Sequence, residues 1–265
     1  MTLTAALKVH LRVLEIHRRV LRVVTLRPQT GVRFSTNYYH DPWHSLAGAD
    51  GAALLGRLLW GLAFQRQPDT LLLIDADHLV PTPFEADPPD PIIVIPDGLT
   101  SVDTDALCAL KLRLRRAPGP PRTIRWHTFG MRAALAHREQ WRRWRDPLSA
   151  QRSRERMARR AGFVCYTAPP DILRDHALGI YEMRSWGDRW GSYHPLAQHG
   201  ERTCWGYDGE FQLIPGFADG VSAARVARRE VIGPDASASE DDVSAIYRRK
   251  DAAEDRLRAA RRRPR

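Results

Sequence analysis

Apolar runs broken by charged, proline-rich or glycine-rich stretches divide the chain into alternating strands and helices. Leu3, Leu7, Leu11 and Leu14 recur at steps of four, four and three, the stripe of an amphipathic helix over 3–19, with Lys8, Arg12, Arg18 and Arg19 on its other face. β-Branched Val20, Val23, Val24 and Thr25 then predict a first strand that Pro28 stops. Residues 33–45 read as an aromatic loop. Its His40, Asp41 and His44 form a candidate metal grouping, but the intervening Pro42 disfavours one helix face carrying both histidines. Gly51 to Gln65 is apolar nearly all round and predicts a helix covered on more than one side.

The centre of the pattern is Thr70 to Ile74, a buried strand running into Asp75-Ala-Asp77-His78, with a second apolar run at 92–95. Open parallel sheets bind ligands beyond the carboxyl ends of their strands. Asp75 and Asp77 are therefore candidates for catalysis or for holding a divalent cation, with His78 beside them. Asp97, past the second strand, becomes a third ligand if the two strands are parallel neighbours. The run Leu72 to Asp77 resembles the metal-binding Asp-x-Asp of nucleotide-sugar glycosyltransferases and, more loosely, that of haloacid-dehalogenase-type phosphatases. The first resemblance implies Mg2+ or Mn2+ held against a sugar-nucleotide diphosphate. The second implies Asp75 as nucleophile and Asp77 as acid/base, although His78-Leu79 stands where those phosphatases have Gly-Thr.

The proline-rich loop 81–91 suits either a lid or docking edge or a spacer. Thr100 with Asp103 predicts the cap of a helix from Ser101. Leu110 to Arg116 alternates and leaves strand and helix both open. After the break at 117–121, a strand is expected over 123–129, then a helix over 131–148 that buries Trp141 and Trp144. A second Arg-rich helix closes at Gly162. Phe163 to Tyr166 predicts a strand, and Pro170 opens a helix that ends at Gly179. From Ile180 to Ile214, interleaved glycines and aromatics predict short antiparallel strands, with His194, His199 and Cys204 as a candidate zinc grouping. Helix 222–231 stops at Gly233-Pro234, and Ser239-x-x-Asp242 caps a last helix with a thin apolar stripe.

The expected fold class is α/β: a central, partly parallel, Rossmann-like sheet with flanking helices, a basic helical region and a glycine- and aromatic-rich antiparallel section. Residues 1–116 form one half of the core and 122–234 the basic helices and second β section. Residues 236–265 form a charged tail suited to self-association or to a protein partner. Three widely spaced cysteines suit a reducing cytoplasm, and neither a membrane span nor a signal-peptide pattern is present.

Charge changes the picture. Net charge is +10, and residues 111–170 hold sixteen Lys/Arg against three Asp/Glu. Arg138, Arg142, Arg143, Arg145, Arg156, Arg159 and Arg160 are the candidate face for an anionic partner, nucleic acid or nucleotide. No helix-turn-helix, zinc-finger or RNA-recognition signature accompanies them, so no base-specific readout is expected. P-loop, dinucleotide, nucleophile-elbow and kinase signatures are also missing. Three functions remain: handling of nucleic acid or nucleotides on the Arg-rich face, metal-dependent transfer or phosphohydrolysis at Asp75 and Asp77, and a non-enzymatic scaffold.

Overall fold

The computed structural model describes residues 6–116, 121–138, 140, 152–185, 192–198, 206–233 and 239–262. The N-terminal segment is a strand, β1 (Ala6–Ile16), in antiparallel register with β2 (Arg19–Thr25) through Ile16↔Arg19 and His10↔Thr25. The expected helix over 3–19 is corrected here. Lys8, His10 and Arg12 alternate with Leu7, Val9 and Leu11, a period of two that outweighs the leucine spacing. His17 and Arg18, both at positive φ, close the hairpin as a two-residue turn.

Seven strands form the larger sheet, in the order β7-β1-β2-β5-β6-β9-β8: besides β1 and β2, β5 (Thr70–Ile74), β6 (Ile92–Pro96), β7 (Arg122–His127), β8 (Arg156–Arg160) and β9 (Phe163–Ala168). It is mixed. β2 with β5 and β6 with β9 run parallel, whereas β5 and β6 are antiparallel. Every residue of β5 and β6 is buried, because both faces are covered. Leu71, Leu73, Ile93 and Ile95 pack with α2 (Thr104–Arg116). Leu72, Ile74, Ile92 and Val94 share a core with α1 (Ala49–Ala63) and α4 (Pro170–Met183). α1 is buried from Gly51 to Ala63, as its all-round apolar pattern requires. Gly56 lets α4 approach closely, since an added Cβ would stand 2.6 Å from the Ala177 carbonyl oxygen.

The second sheet has the order β10-β11-β4-β3, from β3 (Phe34–Tyr38), β4 (Trp43–Ala47), β10 (Ser192–Gln198) and β11 (Tyr207–Leu213). β3 and β4 replace the expected aromatic loop, with His40 and Asp41 in their left-handed turn. β10 and β11 are antiparallel, as the glycine-aromatic alternation predicts. The short α3 (Met131–Ala136) follows β7. α5 (Phe217–Val231) and α6 (Glu240–Arg262) pack together, burying Ile246 and Ala253 of the final stripe. Ser239 and Asp242 exchange capping bonds: the Ser239 amide donates to Asp242 Oδ2 at 2.9 Å and the Asp242 amide to Ser239 Oγ at 3.2 Å.

Other local expectations shift. Asp103 caps α2 by accepting from the Ala106 amide at 2.7 Å, while the Thr100 hydroxyl donates to the Thr70 carbonyl instead. Leu110 to Arg116 is helix. Arg156 to Arg160 is the edge strand β8 rather than a helix, because pairing with β9 buries Met157 alone among its five side chains. α4 runs past Gly179 to Met183. The loop 81–91 is clamped: Arg228 donates to the Glu85 carbonyl and pairs with Asp87, and the Tyr247 hydroxyl donates to Glu85 Oε1 at 2.6 Å. Among the described residues no helix is long and apolar enough to cross a membrane.

Candidate functional site

Asp75 leaves β5 and turns into a single 3-10 turn, Ala76–His78, which returns His78 to its carboxylate. The imidazole is buried, with Nδ1 3.1 Å from Asp75 Oδ1 and Nε2 2.9 Å from the Arg27 carbonyl oxygen. A carbonyl only accepts, so Nε2 carries a proton, and the carboxylate at Nδ1 favours a second one. Burial alone would depress the His78 pKa. The bonds to Asp75 and to the Arg27 carbonyl outweigh it and leave the value raised. The pair ties the end of β2 to the end of β5.

Asp77 is exposed. Asp97 does not join this group. β6 runs antiparallel to β5, so Asp97 emerges at the opposite end of the sheet, paired with Arg154 at 2.5 Å. The third-ligand expectation therefore fails on strand direction. Among the described residues no three His, Cys, Asp or Glu side chains converge as a metal seat.

Of the Arg-rich segment, Arg142, Arg143 and Arg145 lie outside the described residues. The others are engaged within the fold. Arg138 pairs with Glu182, Arg156 donates to the Ser153 carbonyl, Arg159 grips Asp90 at 2.5 and 3.1 Å, and Arg160 donates to the Val102 carbonyl at 2.8 Å. Arg160 and Asp97 border a polar hollow that the Arg19–Asp69 ion pair also lines.

A different basic surface arises on β1 and β7, where the strand-for-helix correction has its consequence. Alternation turns Leu7, Val9 and Leu11 toward α1 and places Lys8, His10 and Arg12 on the opposite face. Antiparallel pairing sets Arg125 directly across from Lys8, and Thr123 across from His10. His127 follows on the same face and stacks on Phe129, with centroids 4.7 Å apart and rings inclined by 15°. Phe129 is 67% exposed, yet its backbone is fixed, because Trp60 Nε1 donates to its carbonyl oxygen at 2.9 Å. His10 lies within electrostatic reach of Arg27, Arg12, Asp75 and His78. Partial burial, then Arg27 and Arg12, hold its pKa below the ordinary value. In the sequence this surface was hidden by the helical reading of 3–19.

A buried polar chain joins the two sheets. Glu155, fully buried before β8, accepts from His176 Nε2 at 3.1 Å, the Ala197 amide at 2.6 Å and the Tyr166 hydroxyl at 3.3 Å. Arg152 stands between Glu155 and Asp175. His176 Nδ1 meets His194 Nε2 at 2.7 Å. Burial would raise the Glu155 pKa, but His176, the Ala197 amide and Arg152 together hold it low. His194 lies against Gly179, where an added Cβ would come within 2.2 Å of the imidazole. Gly179 is thus a seat for His194 rather than a helix end. Of the candidate zinc grouping, His199 and Cys204 lie outside the described residues.

His44 separates from His40 and Asp41: it is buried on β4 with Nε2 3.6 Å from Glu210 Oε1 of β11, too long for a hydrogen bond. Burial, then the charge of His40, lowers the His44 pKa from 6.5 to about 4, and burial raises that of Glu210, so both favour their neutral forms. The unfolded chain protonates His44 near pH 6.5 and the folded chain only near pH 4, so stability drains away as pH falls across that window. His44 alone contributes a loss of up to about 3 kcal/mol, and Glu210 opposes part of it. Urea unfolding between pH 7 and 4 is expected to show a shallower pH slope for His44→Gln than for the native chain. Equal slopes would show that His44 titrates normally in the fold.

No family model matches the chain, and comparisons with curated proteins and with solved structures likewise find no match. The site's own chemistry carries the functional reading.

Proposed function

We propose that this chain binds single-stranded nucleic acid, without base-specific readout, across the outer face of β1 and β7. The observation that carries this reading is the exposed His127–Phe129 stack at the end of a strand pair that sets Lys8 against Arg125. Like charges directly opposite on paired strands destabilise a sheet, and an exposed phenyl ring gains nothing from burial. A phosphate backbone neutralises the first and a base covers the second. Arg12 and His10 extend the positive strip toward Arg27. Asp75, which acts electrostatically on His10, is balanced by His78.

The interaction is backbone positioning plus stacking, which suits a face whose described residues present cations and an aromatic platform. The metal-dependent alternative is less well supported, because Asp75 is committed to His78 and Asp97 lies at the opposite end of the antiparallel strand pair. The test is fluorescence anisotropy of a labelled oligonucleotide of mixed sequence over a range of salt concentrations. Binding should be similar for unrelated sequences, weaker for duplex, and steeply salt-dependent. Affinity that is independent of salt, or strictly dependent on sequence, would refute the reading.

A further inference from the structure

Independently of that face, we propose that a cavity of about 300 Å3 between β1 and α1 binds a small amphiphilic monocarboxylate, its apolar body among the core side chains and its carboxylate on Arg57. The walls are Leu7 and Val9 of β1, Leu26 and Val32 from the segment joining β2 to β3, and Ala53 and Leu54 of α1. The volume stands at the small end of ligand pockets, and such pockets are mostly apolar with a few placed polar groups.

Arg57 supplies that polar group. It follows Ala53 and Leu54 by four and three positions, so the three share one face of α1. The residue is only 3% exposed, and one guanidinium nitrogen donates to the Ala6 carbonyl at 3.1 Å. Arginine keeps its charge even where burial lowers its pKa, as here. Its planar fork matches a carboxylate better than any other single side chain does. Tyr181 of α4 closes the same wall. At the rim stands the exposed Asp50, whose negative charge disfavours a doubly charged phosphate more than a monoanion.

Octanoate and its neutral counterpart octanol are the probes, titrated into the full chain by isothermal calorimetry with thermal unfolding alongside. Saturable uptake of one octanoate per chain with a raised Tm is expected, and octanol should bind at least about tenfold more weakly. Leu54→Trp fills the cavity and should abolish octanoate uptake, while oligonucleotide binding on the β1–β7 face is retained. Arg57→Met keeps the volume and should reduce octanoate to the level of octanol. Should Arg57→Met fail to fold, the octanoate-to-octanol ratio on the native chain decides alone. No uptake of octanoate, equal affinity for octanol, or octanoate binding untouched by Leu54→Trp would each overturn the assignment.

Discussion

Replacing Glu155 by alanine is expected to lower the unfolding free energy by about 3–5 kcal/mol, the range for removing one partner of a buried ionic pair. The carboxylate is the common acceptor for the His176 imidazole, the Ala197 amide and the Tyr166 hydroxyl, all in the interior. Truncation orphans three donors at once. The deficit should be pH-dependent. The Glu155 pKa is held below its ordinary value of 4.5, so its contribution is fully present above that pH and is lost as pH falls through the depressed value. The Glu155→Ala and native unfolding curves should therefore converge in acid. Gly179→Ala is the companion variant. By helix propensity alone it would stabilise α4 by about 1 kcal/mol, but the added methyl displaces His194, so net destabilisation is expected. Urea denaturation at neutral pH measures both. A Glu155→Ala loss under about 1 kcal/mol would mean that water reaches the carboxylate's partners and satisfies them.

The second large effect concerns the β1–β7 face. Single-stranded nucleic acid loses affinity with salt at a log–log slope of about 0.7 per neutralised phosphate. Changing Lys8, Arg12 and Arg125 together to glutamine is expected to flatten that slope by about 2 and to weaken binding similarly for every sequence. Phe129→Ala acts differently. It removes a stacking surface worth about 1–3 kcal/mol per base and leaves the salt slope nearly unchanged. Lys8 is exposed, and Arg125 sits opposite it on an edge strand, so these changes relieve repulsion and should leave the fold intact. Equal loss of slope from Phe129→Ala, or none from the triple variant, would place the phosphate contacts elsewhere.

Strand content was readable where burial is complete. Thr70 to Ile74 and Ile92 to Pro96 are short apolar runs between breakers, and both are central strands. Their relative direction was not readable, because a fully buried strand carries no pattern that distinguishes parallel from antiparallel neighbours. That single ambiguity placed Asp97 beside Asp75 when it lies across the sheet. In β1 the leucine spacing fitted a helix by coincidence. Leu7 and Leu11 face α1, while Leu14 turns to the α2 side, and only the intervening Lys8, His10 and Arg12 betray the alternation. The pairing of Asp75 with His78 follows from a local turn across three residues. Glu155 with His176 and His194 was not, since its members lie on separate elements that only the packing of α4 between β9 and β10 brings together. The one available signal was a lone glutamate inside an arginine-rich span, with a glycine in mid-helix nearby.

The most direct test of the proposed face is ultraviolet cross-linking of a 4-thiouridine-bearing oligonucleotide, with the modified peptides identified by mass spectrometry. The account predicts adducts within residues 121–132, centred on His127 and Phe129, and their loss in Phe129→Ala. Adducts confined to the arginine-rich residues 138–160, with 121–132 unmodified, would contradict it.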